Sequence, residues 1–164
     1  MPQSMFRADL FRGQRILVTG GGTGLGFAMA EQLASLGATV HLCGRRLSVV
    51  EEAAAALRAR HGGQAHAHAV DIRDADAVDA MVEGIWTTHG GLDGLINNAA
   101  GNFISPTEKL SARGFNAIAD TVFRGTFYTT QAVGKRWIAT GAHGAVVSIV
   151  VTVSYTHLTL PTKA

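Results

Sequence analysis

An α/β fold built on a doubly wound parallel sheet is the prediction for this chain, and three observations carry it. Short apolar runs alternate with helical apolar patterns along 164 residues, without a linker or an internal repeat. That alternation implies parallel strands, right-handed crossovers and helices on both faces. A glycine-dense turn, Thr19-Gly20-Gly21-Gly22-Thr23-Gly24-Leu25-Gly26, separates the first apolar run from the first helical pattern. Strand, tight turn and helix start in that order form a cradle for the pyrophosphate of a dinucleotide. Two amides and three small residues, Asn97-Asn98-Ala99-Ala100-Gly101, follow the fourth run, at the strand end where such sheets hold cofactors.

Arg15-Ile16-Leu17-Val18-Thr19 is the first strand. Gly20 lets the chain turn sharply, and Gly24 and Gly26 leave no side chain where backbone and phosphate approach. Unbonded N–H groups at the helix start, with its partial positive charge, face the anion. The spacing is Thr-Gly-x-x-x-Gly-x-Gly rather than Gly-x-Gly-x-x-Gly. Phe27–Leu36 reads as the first helix, closed by Gly37. Thr39–Cys43 is the second strand. Ser48 with Glu51 makes a capping box for a helix whose apolar face is Val50, Ala53, Ala54 and Leu57. Ala67–Val70 is the third strand. Asp74 caps the next helix, marked by Val78, Met81, Val82 and Ile85. Leu92–Asn97 is the fourth strand. Ser111 caps a long helix with Phe115, Ile118, Ala119, Val122 and Phe123 as its apolar face. Ala145–Val151 is an apolar fifth strand.

The length suits one domain with a substantial core. Fourteen basic and 12 acidic residues leave a net charge of +2, too small and scattered to argue for nucleic acid or an anionic membrane as a partner. Cys43 is the only cysteine, which excludes a disulfide framework and a thiolate metal cluster. No apolar run reaches membrane-spanning length, and residues 1–14 lack the layout of a secretion signal. A soluble, cytoplasmic protein is the expectation.

The strand ends carry the chemistry. Gly44-Arg45-Arg46 follows the second strand, where an acidic residue would grip the ribose 2′-hydroxyl of NAD. Arginine's fork suits a phosphate instead, so Arg45 and Arg46 favour NADP(H). Asp71-Ile72, after the third strand, suits an adenine ring by carboxylate and backbone. The amides of Asn97 and Asn98 tie neighbouring strands. His66 and His68, two apart on a strand, point to one face; with no third ligand evident, they read as solvated edge-strand histidines, and no metal site is expected. Cys43 reads as a small buried hydrophobe, and Trp86 and Trp137 as packing residues.

Thr19–Gly26 together with Asn97–Gly101 resembles the short-chain dehydrogenase/reductase family, whose fold is Rossmann-type. The stretch Asn97-Asn98-Ala99-Ala100-Gly101-Asn102-Phe103-Ile104-Ser105-Pro106-Thr107-Glu108 resembles its 2,4-dienoyl-CoA reductase branch, and the likeness runs from about residue 14 to residue 152. The resemblance implies that Thr19, Gly20, Thr23, Gly24, Leu25 and Gly26 hold the pyrophosphate and that Arg45 and Arg46 hold the 2′-phosphate. Asp71 and Ile72 would meet the adenine, with Asn98 and Ala99 on the nicotinamide side. Asn102 matches the catalytic asparagine that binds the thioester oxygen as it gains charge, a preferential stabilisation of the transition state. Arg73, Phe103 and Ser111 match positions that contact acyl-CoA substrate. In the family the long helix contributes to a subunit interface. The apolar surface of Ser111–Lys135 exceeds one sheet contact, so the full-length protein is expected to be a homo-oligomer.

The chain departs from the family at three places. Val122 stands where most members have an asparagine, a loss the dienoyl reductase branch shares. Val150 and Val151 stand where hydroxyl residues usually end the fifth strand, and an aliphatic side chain cannot donate to a substrate oxygen. Residues 153–164 resemble no part of the family and look like the translation of a transposase-type sequencing adapter. The family's tyrosine would fall at position 153, and its lysine further on. Residues 1–152 are therefore expected to form one Rossmann-type domain, incomplete at the C-terminal edge of its sheet, with a non-native tail and no complete catalytic apparatus. Three functions follow in order: an NADPH-dependent 2,4-dienoyl-CoA reductase for the intact parent, a carbonyl reductase or alcohol dehydrogenase, and, for the 164 residues alone, a non-catalytic NADP-binding module.

Overall fold

The computed structural model describes residues 6–101 and 106–150. Asn102, Phe103 and Val151, each singled out above, lie outside them. Five strands, β1 (Arg15–Thr19), β2 (Thr39–Gly44), β3 (Ala65–Ala69), β4 (Gly94–Asn97) and β5 (Ala145–Ser148), pair in the order β3-β2-β1-β4-β5. Every pairing is parallel. The helices are α1 (Gly24–Ser35), α2 (Leu47–His61), α3 (Ala75–His89), α4 (Ala112–Ala119) and α5 (Thr126–Thr140). The strand order reverses between β1 and β4, which makes the sheet doubly wound, as predicted.

Side-chain alternation along the strands divides the core into two layers. Ile16, Val18, Val40 and Leu42 pack with Ala30 and Ala34 of α1 and Ala53, Ala54 and Leu57 of α2. Leu17, Cys43 and Leu95 pack on the other face with Val78, Val82 and Ile85 of α3 and Ala132, Val133 and Trp137 of α5. Leu17, Leu42, Leu57 and Leu95 are fully buried, each contributing about 1.5–3 kcal/mol by burial. The cap at Asp74 forms, its carboxylate accepting from Asp76 N and Ala77 N, and Ser111 accepts from Gly114 N.

Several elements differ from the sequence expectation. Helix α1 starts at Gly24, not Phe27, because the glycine turn itself supplies its first turn. The capping box at Ser48 does not form. Helix α2 begins at Leu47, and Val50 N already bonds Arg46 O, so Ser48 sits inside the first turn. Strand β3 starts at Ala65, where pairing with Val40 begins. The expected apolar face of the long helix is not its buried face. Phe115 and Phe123 are 55% and 71% exposed, whereas Thr129, Ala132, Val133 and Trp137 pack inward. A six-residue π turn, Asp120–Gly125, separates α4 from α5 and shifts the helical register between them. Trp137 anchors α5 by donating from Nε1 to Leu92 O at 2.6 Å. Strand β5, paired on one side with β4, is exposed throughout, whereas the opposite edge strand β3 is largely half-buried. His66 and His68 are half-buried among other histidines rather than solvated.

One contact fixes each end of β1. Asp93 accepts from Arg15 N at 2.8 Å, Nε at 2.9 Å and Nη2 at 3.2 Å, which joins the start of β1 to the chain entering β4. Burial raises the Asp93 pKa, but the bonds from Arg15 outweigh it and hold the carboxyl below its ordinary value. At Gly26 a Cβ would collide with the carbonyl oxygen of Gly20 and crowd Asn98 Nδ2. Gly26 thus permits close packing of α1 on the turn.

Asp93→Ala is expected to lower stability by about 1–3 kcal/mol at neutral pH. Asp93 binds its proton less tightly folded than unfolded, so its contribution is present above about pH 4 and is lost as pH falls through the folded value. Urea unfolding of both proteins from pH 7 to pH 3 checks whether the difference closes in acid. Gly26→Ala is expected to cost about 1–3 kcal/mol by overpacking. Gly84→Ala, where an added Cβ on α3 meets nothing within 4 Å, is expected to gain up to about 1 kcal/mol. Equal unfolding midpoints for these two variants would refute the packing role of Gly26.

Candidate functional site

A cavity of about 540 Å³ opens at the carboxyl ends of the strands, over the reversal between β1 and β4. Its floor is the glycine turn, contributing Gly20, Gly22, Thr23, Leu25 and Gly26. Gly20 has φ +65°, and a Cβ there would stand 3.0 Å from Ala99 Cα. A side chain would both strain the turn and push the two strand ends apart. Thr23 is the extended N-cap of α1 and makes no side-chain cap bond, and the first turn of α1 holds no acidic residue. The helix therefore presents uncapped N–H groups and its positive end to the cavity floor.

The seam between the strands is held from behind. Thr19, 1% exposed, accepts at Oγ1 from Asn98 N and Ala99 N, both at 3.0 Å. Asn98 Nδ2 donates to Thr19 O at 3.0 Å. Asn98 thus ties β4 to β1 as expected. Asn97 instead ties β4 to α5, donating from Nδ2 to Thr130 Oγ1 and accepting from Thr129 Oγ1.

Charge is concentrated on one wall. Arg45 and Arg46, after β2, are exposed, and among the described residues neither forms an ion pair. Asp71, after β3, accepts from Arg73 N at 3.1 Å and from Arg73 Nε at 2.9 Å. Arg73's bonds, against a smaller opposing effect of burial, hold the Asp71 carboxyl below its ordinary value, and Arg45 adds to the lowering. Cys43, at the back of the cavity, is buried, and burial pushes its thiol up to about 12. It is the inert small hydrophobe that the sequence suggests.

The structure brings Gly20, Thr23, Leu25, Gly26, Arg45, Arg46, Asp71, Ile72, Arg73, Asn98 and Ala99 to this one cavity. Thr19, Gly24 and Ser111 are not among its lining residues. Thr19 acts through the strand ends it binds, and the Ser111 hydroxyl is used as a helix cap. Sequence reasoning missed Val49 on α2, and Ala117, Ile118 and Thr121 on the opposite wall. Val49 had a signal: it follows the two arginines by one turn, facing side-chain-free Gly22, where an added Cβ would lie 3.0 Å from Val49 Cγ1. Thr121 had none. It reaches the cavity through the π turn, and local residue spacing does not announce such a turn.

A family model described as short chain dehydrogenase matches residues 14–160. An uncharacterized oxidoreductase of Caenorhabditis elegans is 43% identical over 141 residues, 84% of this chain and 44% of that protein. A probable 2,4-dienoyl-CoA reductase of Bacillus subtilis is 36% identical over 140 residues, 85% of this chain and 55% of that protein. The chain spans about half the length of the curated relatives it matches. Among solved structures, a citronellol catabolism dehydrogenase of Pseudomonas aeruginosa has a TM-score of 0.84 at 36% identity, covering 91% of this chain and 60% of that one. A metagenomic short-chain oxidoreductase in complex with NADP has a TM-score of 0.77 at 30% identity, covering 84% and 62%. An NAD+-bound xylitol dehydrogenase has a TM-score of 0.84 at 26% identity, covering 90% and 56%. The family match takes in all five strands and every element that lines the cavity, and the chain belongs to the short-chain dehydrogenase/reductase family of oxidoreductases.

Proposed function

We propose that the intact protein is an NADPH-dependent reductase of 2,4-dienoyl-CoA thioesters in fatty-acid breakdown. The observation that carries the coenzyme half is the cationic wall at the end of β2. Arg45 and Arg46, without an ion pair among the described residues, stand where a 2′-phosphate would lie, across from the uncapped start of α1. The donor set fits a dinucleotide: N–H groups for the pyrophosphate over Gly20–Gly26, guanidinium groups for the 2′-phosphate, and Asp71 and Ile72 for the adenine. Asn98 and Ala99 would border the nicotinamide, with Thr19 holding both in place. When bound, the coenzyme supplies a hydride. Arg73 would contact the acyl-CoA near the cavity mouth, with Phe103 and Ser111 in the same role. Asn102 would donate its amide hydrogen to the thioester carbonyl oxygen as that oxygen gains charge.

The relatives named 2,4-dienoyl-CoA reductase support the substrate class. A second reading, a carbonyl reductase or alcohol dehydrogenase on the same scaffold, is favoured by the xylitol dehydrogenase among the structural neighbours. The full-length protein is a homo-oligomer in this proposal, supported by Phe115, Phe123, Phe127 and Ile138, which are exposed along the long helix. The compartment is the cytoplasm in the same reading; among the described residues no helix is long and apolar enough to cross a membrane. Residues 153–164 are proposed to be foreign sequence, which resequencing the source DNA across codon 152 tests directly.

Fluorescence titration of the 164-residue chain is expected to give tighter binding of NADPH than of NADH by about tenfold or more. Arg45→Ala/Arg46→Ala should remove that preference, consistent with about 1.5–3 kcal/mol for a charged hydrogen bond. Equal affinities in the unmodified chain would overturn the NADP assignment. With the full-length parent, steady-state reduction of a 2,4-dienoyl-CoA is expected to exceed that of simple ketones. Asn102→Ala should lower kcat by about 10²–10³ while leaving the NADPH Kd unchanged. Faster turnover of ketones would favour the second reading.

A further inference from the structure

Four histidines form a cluster that the coenzyme cavity does not use. His41 of β2 is fully buried, its Nδ1 sharing a hydrogen with His68 Nε2 of β3 at 3.0 Å. Its Nε2 is buried without a hydrogen-bond partner. The His41 ring stacks on His66 at 4.9 Å and on His68 at 5.3 Å. His89, at the end of α3, closes the cluster at 4.9 Å from His41 and 4.1 Å from His66.

Among the described residues no carboxylate forms an ion pair with these rings. From β1 the nearest charge is Arg15, a cation that donates to His89 O and is itself held by Asp93. From α2 it is Arg58, a second cation, which donates to Ala65 O beside His66. From β3 and α3 the facing titratable groups are the other imidazoles. Among the described residues no three His, Cys, Asp or Glu side chains are arranged to hold a metal ion.

We propose that the His41–His66–His68–His89 cluster is an acid-released latch, holding the β3 edge and the end of α3 closed only while its rings are neutral. Strand β3 is the sheet's edge and pairs with β2 alone; Ala65 and Ala67 hold one of its faces on the layer under α2, and the histidine cluster holds the other. The strand also leads directly into Asp71 and Ile72 of the cavity wall. Burial first, then the neighbouring imidazoles and Arg15, push His41 down to about 3. Burial, then His66 and His89, push His68 down to about 4. The unfolded chain takes up these two protons near pH 6.5, whereas folded His41 and His68 refuse them until much lower pH. Stability is therefore full above about pH 6.5 and is lost as pH falls toward the depressed values. Each refusing imidazole lowers the folding equilibrium constant by up to about tenfold per pH unit.

The test is residue-resolved amide exchange of the 164-residue chain at pH 7.5 and 5.5, corrected for the intrinsic pH dependence of exchange, with imidazole NMR titration on the same sample. Protection of β3 and the end of α3 should fall at least about tenfold more than that of β1 and β4, while His41 and His68 stay neutral below pH 5. His41→Leu, which keeps the volume and removes the titrating group, should flatten the acid loss of stability. If that variant does not fold, the unmodified protein's titration decides by itself. Uniform loss of protection, or protonation of His41 and His68 near pH 6.5 with the fold intact, would overturn the latch.

Discussion

Where β1 and β4 end, the sheet has to remain a hydrogen-bonded sheet and yet part into a crevice, and one buried hydroxyl meets both demands. As the chain leaves β4, the N–H groups of Asn98 and Ala99 lose their strand partners, and buried donors left unpaired cost about 1–3 kcal/mol each. Thr19 Oγ1 accepts from both, and Asn98 returns its side-chain amide to Thr19 O. The strand ends are pinned at the point where the winding reverses. Gly20 and Gly26 can then sit against the same junction only because neither carries a Cβ. Loss of the seam would displace Asn98 and Ala99, which line the cavity, together with the glycine floor packed against them.

The chemistry of the cavity follows from which groups remain unsatisfied. The start of α1 is left without a side-chain cap, although caps stabilise the starts of α3 and α4. Among the described residues, Arg45 and Arg46 form no ion pair, whereas Arg73 beside them in the cavity wall is paired with Asp71. These donors lie together at one end of the sheet, around one cavity. The negative charge of Asp71 is taken up by Arg73.

The two ends of the sheet differ in kind. The β3 side closes on a stack of imidazoles, polar groups in a layer that otherwise packs with Val, Ile and Leu. The β5 side ends in an exposed strand, with Val146 and Val147 42% and 50% open to solvent. An exposed apolar edge carries unpaired backbone groups that invite another strand. Only one face of β3 joins the aliphatic layer, through Ala65 and Ala67, and neither face of β5 is buried.

Alternation of strands and helices, the glycine turn, the caps at Asp74 and Ser111 and the arginines after β2 were all legible locally. Each depends on a residue's own backbone preference or on spacing within one element. What spacing could not show was decided by distance in space. His41 reads as one residue of an apolar strand until β3 and α3 bring three more rings around it. Thr121 reaches the cavity only through a π turn, and the apolar stripe of Phe115 and Phe123 looked inward until Trp137 and the sheet claimed the other side of the helix. The sequence by itself determined the order of elements and the glycine turn, because both follow from short-range sterics and hydrogen bonding. Tertiary structure alone decided which helix face is buried and which side chains share a pocket, because those depend on contacts between residues dozens of positions apart.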